Sequence, residues 1–424
     1  MAKLNRMTWS IAAFALAALT IPSLTHAAPF DPETATQAYL GTLKGAARAK
    51  SDAYFEGGYW LLLWGALVGV ATELIILATG LSAKFRDFGE RLFKRPFLQR
   101  MAYVLPYIFA GALISLPWGI YTDYFREKQY GLMNQSFGGW FGEQAIGFGI
   151  SLAIMLFILP LGIGFIRRSP KRWWLWGAGF ASALTAVLVL VSPVYIAPLF
   201  NSYTELQPGP VRDRIVAMAK ANNVPAEHIY VFDASKQTKR ISANVSGLGP
   251  TIRISLNDNL LNRTTLPETA AVMGHELGHY VLGHVTRSII AFTAIFLAAF
   301  WLASRAVPAI VARFGNKWGL RDATDMAAVP VYSLVISLAF LLMTPITNSL
   351  IRSEESEADA FGLNAAREPD GFAITAMKLS EYRKIEPGPI EEMLFFDHPS
   401  GATRVRMAMA WKAKHLAEIE AHAK

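Results

Sequence analysis

Long apolar runs restrict the fold of this chain more than any other feature of its sequence. Six of them lie at about residues 58–81, 103–122, 145–166, 173–200, 288–307 and 328–347. Each is long enough to cross a hydrocarbon core of about 30 Å as a helix. Only 17% of the 424 residues are charged, whereas soluble domains carry about a quarter. The sequence therefore predicts a mainly α-helical, polytopic membrane protein.

The first 28 residues leave two interpretations open. Lys3 and Arg6 precede an apolar run over residues 7–24, which is followed closely by Ala27 and Ala28. This layout is typical of a cleaved secretory signal, but an uncleaved first transmembrane helix fits the same residues. Residues 29–57 are polar, and we expect them to be helical and outside the membrane. The remaining chain divides into membrane segments 58–200 and 288–350 and extramembrane segments 201–287 and 351–424.

A metal-binding motif, H-E-x-x-H, lies in a segment predicted to be a helix whose apolar stripe is formed by Leu277, Val281 and Leu282. His275 and His279 are one turn apart and project from the same helix face, so both imidazoles can bind one ion. Glu276 is offset round the helix and can act as a general base beside the ion. The competing interpretation is that His275 and His279 are ordinary polar residues on a half-buried helix.

A third ligand must come from a histidine or an acid, because the sequence contains no cysteine. The acids Glu354, Glu355, Glu357 and Asp359 follow the last apolar run directly. They form either a solvated face or the source of the ligand, and their spacing does not decide which acid binds. Glu355 and Asp359 are one turn apart, so one could bind the ion while the other supports a histidine.

Two further extramembrane features have both a functional and a structural interpretation. Residues 211–222 predict a helix, 228–233 a strand, and 241–249 with 251–256 a hairpin that turns at 247–250. The edge of this sheet could hold an extended peptide, or the sheet could be purely structural. His398 precedes a C-terminal helix with Pro399 expected in its first turn. It either shapes the helix start or donates to an oxyanion.

Charges within and beside the membrane add two expectations. Glu73 lies inside the first apolar run and would face a cavity or sit near the helix end. The loops after the first, third and fifth runs are basic; their residues include Lys84, Arg86, Arg91, Lys94, Arg95, Arg100, Arg167, Arg168, Lys171, Arg172, Arg313, Lys317 and Arg321. By the positive-inside rule these loops are cytoplasmic and the H-E-x-x-H helix is extracytoplasmic. The expected location is a bacterial inner membrane, and the net charge of +8 then needs no nucleic-acid partner.

From about Asp52 to the C-terminus, the chain resembles the type I CAAX prenyl proteases, which are integral-membrane zinc metalloproteases of the gluzincin kind. The matching residues, in order, are Tyr195-Ile-Ala-Pro-Leu-Phe200, His275-Glu-Leu-Gly-His279 with Leu-Gly-His284, Glu355 with Ala358-Asp359-Ala360-Phe361, and His398-Pro399 with Arg404.

The resemblance implies a helical barrel around a large intramembrane chamber, with zinc at one mouth. It places the third zinc ligand at Glu355 and a supporting carboxylate at Asp359. His398 and Arg404 would hold the substrate or its developing charge. Ser242, Ala243 and Asn244 occupy the substrate-binding strand, where the family has Asn-Ala and an aromatic residue. The family's seven spans are matched only if residues 1–28 are retained.

These features together predict a membrane zinc endopeptidase that holds one Zn²⁺ ion and acts on peptide or protein substrates. Its substrates are either CAAX-type prenylated proteins or membrane proteins under quality control. The eukaryotic members of the family act on the cytosolic side, which conflicts with the charge-based orientation. An alternative of another class is a scaffold or transporter with a structural metal, which would need a fourth protein ligand.

Overall fold

A computed structural model describes residues 30–247 and 252–422, so the predicted segment 1–28 and most of the predicted turn at 247–250 lie outside the described residues. The helices are α1 (Pro32–Leu40), α2 (Gly45–Ala78), α3 (Leu81–Leu92), α4 (Pro96–Gln129), α5 (Phe137–Arg168), α6 (Trp173–Leu199), α7 (Pro210–Ala221), α8 (Asp258–Arg263), α9 (Leu266–Val281), α10 (His284–Trp318), α11 (Met326–Ala366), α12 (Pro369–Leu379), α13 (Pro389–Phe395), α14 (Gly401–Lys414) and α15 (Leu416–His422). The strands are β1 (Tyr203–Glu205), β2 (Ile229–Phe232), β3 (Ala243–Ser246) and β4 (Arg253–Asn257).

Six helices are long and apolar enough to cross a membrane, namely α2, α4, α5, α6, α10 and α11. They correspond one to one with the six predicted runs, which confirms the prediction of a multi-pass membrane protein. The helices extend well beyond the runs, because their ends continue into the extramembrane part. Helix α2 crosses the predicted boundary at residue 57, and α11 crosses the one at residue 350. The C-terminal part of α11 is thereby rigidly joined to its membrane part.

A cavity of about 770 Å³ lies among the six membrane helices, and its lining is mostly apolar. Glu73 of α2 contributes to this lining, and the Tyr107 hydroxyl donates to its carboxylate over 2.9 Å. The cavity matches the chamber implied by the resemblance, and Glu73 faces it rather than a helix end. A buried cluster that includes Tyr103, Ile163 and Val307 packs the membrane helices against one another.

A four-stranded sheet with the order β1-β2-β4-β3 forms the base of the extramembrane part. Strand β4 pairs in parallel with β2 and antiparallel with β3, which confirms the predicted strand and hairpin; α7 confirms the predicted helix. Strand β1 was not predicted, since three residues are too short to show alternation. Strand β3 lies at one edge of the sheet and packs against α9.

Helices α9 and α11 cross at glycines, and this crossing positions the candidate site. A Cβ atom added to Gly274 would lie 2.9 Å from the Gly362 carbonyl oxygen, and one added to Gly362 would lie 2.7 Å from the His275 nitrogen. Backbones this close leave no room for a side chain at either position. The close approach brings the acidic end of α11 against the histidines of α9.

Two details of the predicted helices are corrected. Only Leu277 of the predicted apolar stripe on α9 is buried, whereas Val281 and Leu282 are exposed, because α9 ends there and the chain turns into α10. Pro399 is not in the first turn of α14. The helix begins at Gly401, and Ser400 is its N-cap: its hydroxyl accepts a hydrogen bond from the Thr403 N–H, which satisfies a free helix donor.

Candidate active site

Two histidines of α9 and one glutamate of α11 form a compact group. The Nε2 atoms of His275 and His279 lie 3.0 Å apart. Glu355 Oε2 is 3.3 Å from His275 Nε2, and Glu355 Oε1 is 3.4 Å from His279 Nε2. The ligand atoms of this His-His-Glu group all lie within 4.8 Å of one another. The sequence motif and one member of the distant acidic cluster therefore meet at one point.

The other acids of the cluster contact residues outside this group or the far side of the His275 ring. Glu354 accepts a hydrogen bond from Ser288, and Glu357 pairs with Arg287. Asp359 is fully buried and lies 2.7 Å from His275 Nδ1, on the opposite edge of the ring from Glu355. Of the four acids that the sequence left open, Glu355 has the position of a ligand and Asp359 that of a supporting carboxylate. Both roles stay predictions.

The donor set of this group fits a divalent metal. Ligand atoms bound to zinc in a tetrahedron at about 2.0–2.1 Å lie about 3.3 Å from one another, close to the three separations found here. Glu355 Oε2 is buried, and although His275 Nε2 and His398 Nε2 each lie 3.3 Å away, it accepts no hydrogen bond from any described residue. A buried carboxylate oxygen without a donor is costly, and a bound cation would remove that cost.

Glu276 lies beside the metal-binding group in a cleft of about 270 Å³. Its carboxylate makes no hydrogen bond or ion pair with the described residues, so it is free to exchange a proton. Burial raises the pKa of Glu276 above its ordinary value, while His275 and His279 oppose the increase. A carboxylate with a raised pKa is better matched to proton transfer near neutral pH, as a general base requires.

His398 and Arg404 both line the cleft. His398 Nε2 lies 3.3 Å from Glu355 Oε2, while its Nδ1 atom lies 2.8 Å from the Asp397 carboxylate. Arg404 donates two hydrogen bonds to Asp359, at 2.7 and 2.8 Å. Both residues are within reach of a group bound in the cleft, but Arg404 is committed to Asp359. Their catalytic roles stay predictions.

Two residues to which the sequence analysis assigned no role support the site. His284, at the start of α10, is buried, and its Nδ1 atom lies 2.9 Å from His279 Nδ1. Arg352 donates to the carbonyl oxygens of Glu392 and Phe396 over 2.9 and 2.5 Å, which fixes the segment before His398. The spacing His-x₃-His-x₄-His and the resemblance both include His284 without giving it a role, whereas no pattern in the sequence pointed to Arg352.

The predicted substrate-binding strand borders the same cleft. Ser242 and Ala243 are part of its lining, whereas Asn244 is exposed and is not. The Ser242 carbonyl accepts a hydrogen bond from the Asn257 N–H over 3.0 Å. Backbone groups alternate in direction along an antiparallel strand, so the N–H and C=O of Ala243 point away from β4. The open edge of β3 can therefore pair with an extended peptide.

Both parts of the chain, membrane and extramembrane, match known protein families. Residues 205–412 match peptidase family M48, and residues 34–202 match the five-helix membrane N-terminal region of CAAX prenyl proteases. A Bacillus subtilis protein described as an uncharacterised metalloprotease, YhfN, is 27% identical over 86% of each chain. The human CAAX prenyl protease 1 homolog is 23% identical over 82% of this chain and 83% of its own.

The fold also has a counterpart among solved structures. A crystal structure of S. mikatae Ste24p superposes with a TM-score of 0.73, covering 95% of this chain and 97% of the other at 20% identity. This likeness shows the same helical membrane architecture with an attached protease domain. The two family matches cover the membrane helices and the H-E-x-x-H region in their expected order. The chain therefore belongs to the CAAX prenyl protease family of M48 metallopeptidases and is a membrane-embedded metalloprotease.

Proposed function

We propose that this metalloprotease is a zinc endopeptidase in which His275, His279 and Glu355 hold one zinc ion. The supporting observation is that ligand atoms of these three residues converge, and that the buried Glu355 Oε2 accepts no hydrogen bond from the described residues. A zinc ion in this position supplies Lewis acidity, which activates a water and polarises a carbonyl. His398 does not join the group of ligand atoms within 4.8 Å of one another, so a coordination position stays open, as catalytic sites require.

The chain's own residues then perform the proton transfers and hold the substrate. Glu276 takes a proton from the attacking water and delivers it to the leaving amine. His398 donates to the oxyanion that forms on the scissile carbonyl. The open edge of β3 holds the peptide in an extended conformation through the backbone of Ala243. Asp359, itself held by Arg404, keeps His275 oriented with Nε2 toward the metal.

The Glu276→Gln variant tests this assignment. Glutamine has almost the same shape but cannot accept the proton, so we expect bound zinc to remain stoichiometric and peptide hydrolysis to be lost. Zinc content by mass spectrometry and product analysis on the same preparations measure both. Full turnover by the variant would show that Glu276 is not the general base.

We further propose that the substrates are membrane-associated proteins, and two classes can be separated directly. Incubating the zinc-loaded protein with a farnesylated CAAX peptide and with an unfolded membrane protein distinguishes prenyl-dependent processing from quality control. Cleavage of the first substrate only when it is farnesylated would support the former. Cleavage of the second alone would support the latter.

We propose an inner-membrane location with the catalytic part outside the cytoplasm, on the strength of the basic loops. The absence of cysteine from the sequence makes single-cysteine labelling straightforward. A cysteine in place of the exposed Asn244 should react with a membrane-impermeant maleimide in intact cells, whereas one in place of the exposed Lys94 should not. The reverse pattern would establish a cytoplasmic active site.

A further inference from the structure

Arg383 places a cation without a partner in the catalytic cleft. It lines this cleft together with His275, Glu276 and His398. Within residues 30–247 and 252–422, its guanidinium makes no hydrogen bond and no ion pair. Burial and then the nearby Arg404 lower the pKa of Arg383, and the more distant Asp397 and Glu355 offset this only in part, so the charge is not fully compensated. An uncompensated cation facing an enzyme cleft calls for an anionic ligand.

The neighbours of Arg383 in the loop between α12 and α13 behave differently. Glu381 accepts a hydrogen bond from Arg263 over 2.6 Å, Lys384 pairs with Glu391 at 2.9 Å, and Glu386 pairs with Arg48 at 2.6 Å. Each of these charges has a partner outside the cleft. Arg383 is thus the charged member of this described segment that is directed into the cleft and left unpaired.

The carboxylates around the cleft are already engaged. Asp359 is shared by His275 and Arg404, Asp397 lies against His398, and Glu355 faces the histidine pair. Asp397 and Glu355 act on Arg383 only from a distance and form no ion pair with it, and a metal bound at Glu355 would engage that carboxylate further. Since no carboxylate in the described part of the chain pairs with Arg383, the complementary anion would be supplied by a bound ligand.

The backbone at Arg383 is firmly held. The buried Ser51 of α2 donates from its hydroxyl to the carbonyl oxygens of Ser380 and Arg383, over 2.5 and 3.1 Å. Ile385 is fully buried and its carbonyl accepts from the Ala402 N–H. The fixed backbone keeps the guanidinium within reach of the cleft, so no entropy is lost in ordering this loop when a ligand binds.

We propose that Arg383 binds a carboxylate of the substrate and thereby selects the bond that is cut. The inference rests on the proposed peptidase function, because the ligand is the substrate of that site. A planar guanidinium forms two parallel hydrogen bonds with a carboxylate. The carboxylate belongs either to the free C-terminus of the substrate or to an aspartate or glutamate side chain.

One quenched fluorescent peptide that the zinc-loaded protein cleaves, synthesised in three forms, tests the proposal. The forms are a C-terminal acid, the matching amide, and an amide with an aspartate near its end. We expect kcat/KM of wild type to be about 10- to 100-fold higher for a carboxylate form than for the plain amide, the range for a hydrogen bond to a charged group. Preference for the acid identifies the C-terminus, and preference for the aspartyl amide identifies a side chain.

The Arg383→Gln variant should lose this preference, whereas Arg383→Lys should keep part of it. Arg48→Gln, which removes ion pairs to Asp52 and to Glu386 of the same loop but changes nothing in the cleft lining, should keep all of it. Equal rates for the three peptides in wild type, or a preference that survives in Arg383→Gln, would overturn the proposal.

A binding measurement separates failure of this inference from failure of the proposed function. Fluorescence anisotropy of the three peptides with zinc-loaded Glu276→Gln protein, with and without the Arg383→Gln substitution, requires no turnover. If wild type cleaves none of the peptides, the peptidase proposal fails, but tighter binding of a carboxylate form that depends on Arg383 would still support the subsite. Equal binding of all three forms would refute it.

Discussion

His275 and Asp359 are joined by the shortest polar contact of the metal-binding group: Nδ1 of the imidazole lies 2.7 Å from the carboxylate. His275 Nε2 faces Glu355 at the same time. The carboxylate therefore fixes the ring with Nδ1–H directed toward Asp359 and leaves the Nε2 lone pair for a metal. Asp359 also accepts two hydrogen bonds from Arg404, so this orientation is itself braced.

Replacing Asp359 by asparagine should weaken zinc binding by about 10- to 100-fold, the range found when such supporting groups are removed. The amide retains the shape of the side chain but not its charge, so His275 becomes a weaker ligand and Arg404 loses a charged partner. Competition with a fluorescent zinc chelator measures the affinity. An affinity equal to that of wild type would show that Asp359 does not support the ligand.

Two neighbouring glutamates of α11 offer a matched pair of variants. Glu355→Gln should abolish stoichiometric zinc binding and hydrolysis, because it removes the carboxylate that reaches both histidines. Glu354→Gln, one residue earlier, changes a hydrogen bond to Ser288 and should retain both zinc and activity. Zinc content and peptide hydrolysis are measured on both variants. Loss of zinc in the Glu354 variant with retention in the Glu355 variant would reverse the assignment.

The sequence predicted the parts of the molecule that depend on local pattern. Six apolar runs identify the membrane helices, and the spacing of His275 and His279 places two ligands on one helix face. It could not select Glu355 from its neighbours, because the choice depends on how α11 rotates against α9. That rotation is set by backbone contact at Gly274 and Gly362, which no periodicity records. The resemblance supplied the residue that spacing alone could not.

The glycine contact between the two helices predicts a stability effect. A methyl group at Gly362 would meet the His275 backbone nitrogen at 2.7 Å, so α9 and α11 would have to separate. We expect Gly362→Ala to destabilise the protein by about 1–3 kcal/mol, the usual cost of overpacking. Thermal unfolding in detergent measures the change. Gly142→Ala in α5, where nothing lies within 4 Å, is the control and should not lower the melting temperature.

The affinity for zinc should increase with pH. In the metal-free protein burial alone would lower the pKa of His275, but the Asp359 and Glu355 carboxylates outweigh it and raise the pKa to about 10. At neutral pH the imidazole is then protonated, and zinc must displace that proton. The affinity should rise by about tenfold per pH unit while one proton is released, and proton release can be measured by calorimetry in buffers of different ionisation enthalpy. A pH-independent affinity would contradict the raised pKa.

Because the edge of β3 is open, we predict that cleavage depends on the backbone N–H of every second residue of the substrate. The N–H and C=O of Ala243, a cleft-lining residue, point away from β4, whereas the Ser242 carbonyl and the Asn244 backbone pair with β4. An extended peptide on this edge presents every second residue to the strand.

N-methylation at these positions removes a donor and blocks pairing, so it should lower kcat/KM, while methylation at the intervening positions should have a much smaller effect. A scan of singly N-methylated peptides measures the pattern, with Asn244→Ala protein as the control because the side chain of Asn244 is outside the cleft lining. Equal sensitivity at all positions would mean that the substrate is not held as an added strand.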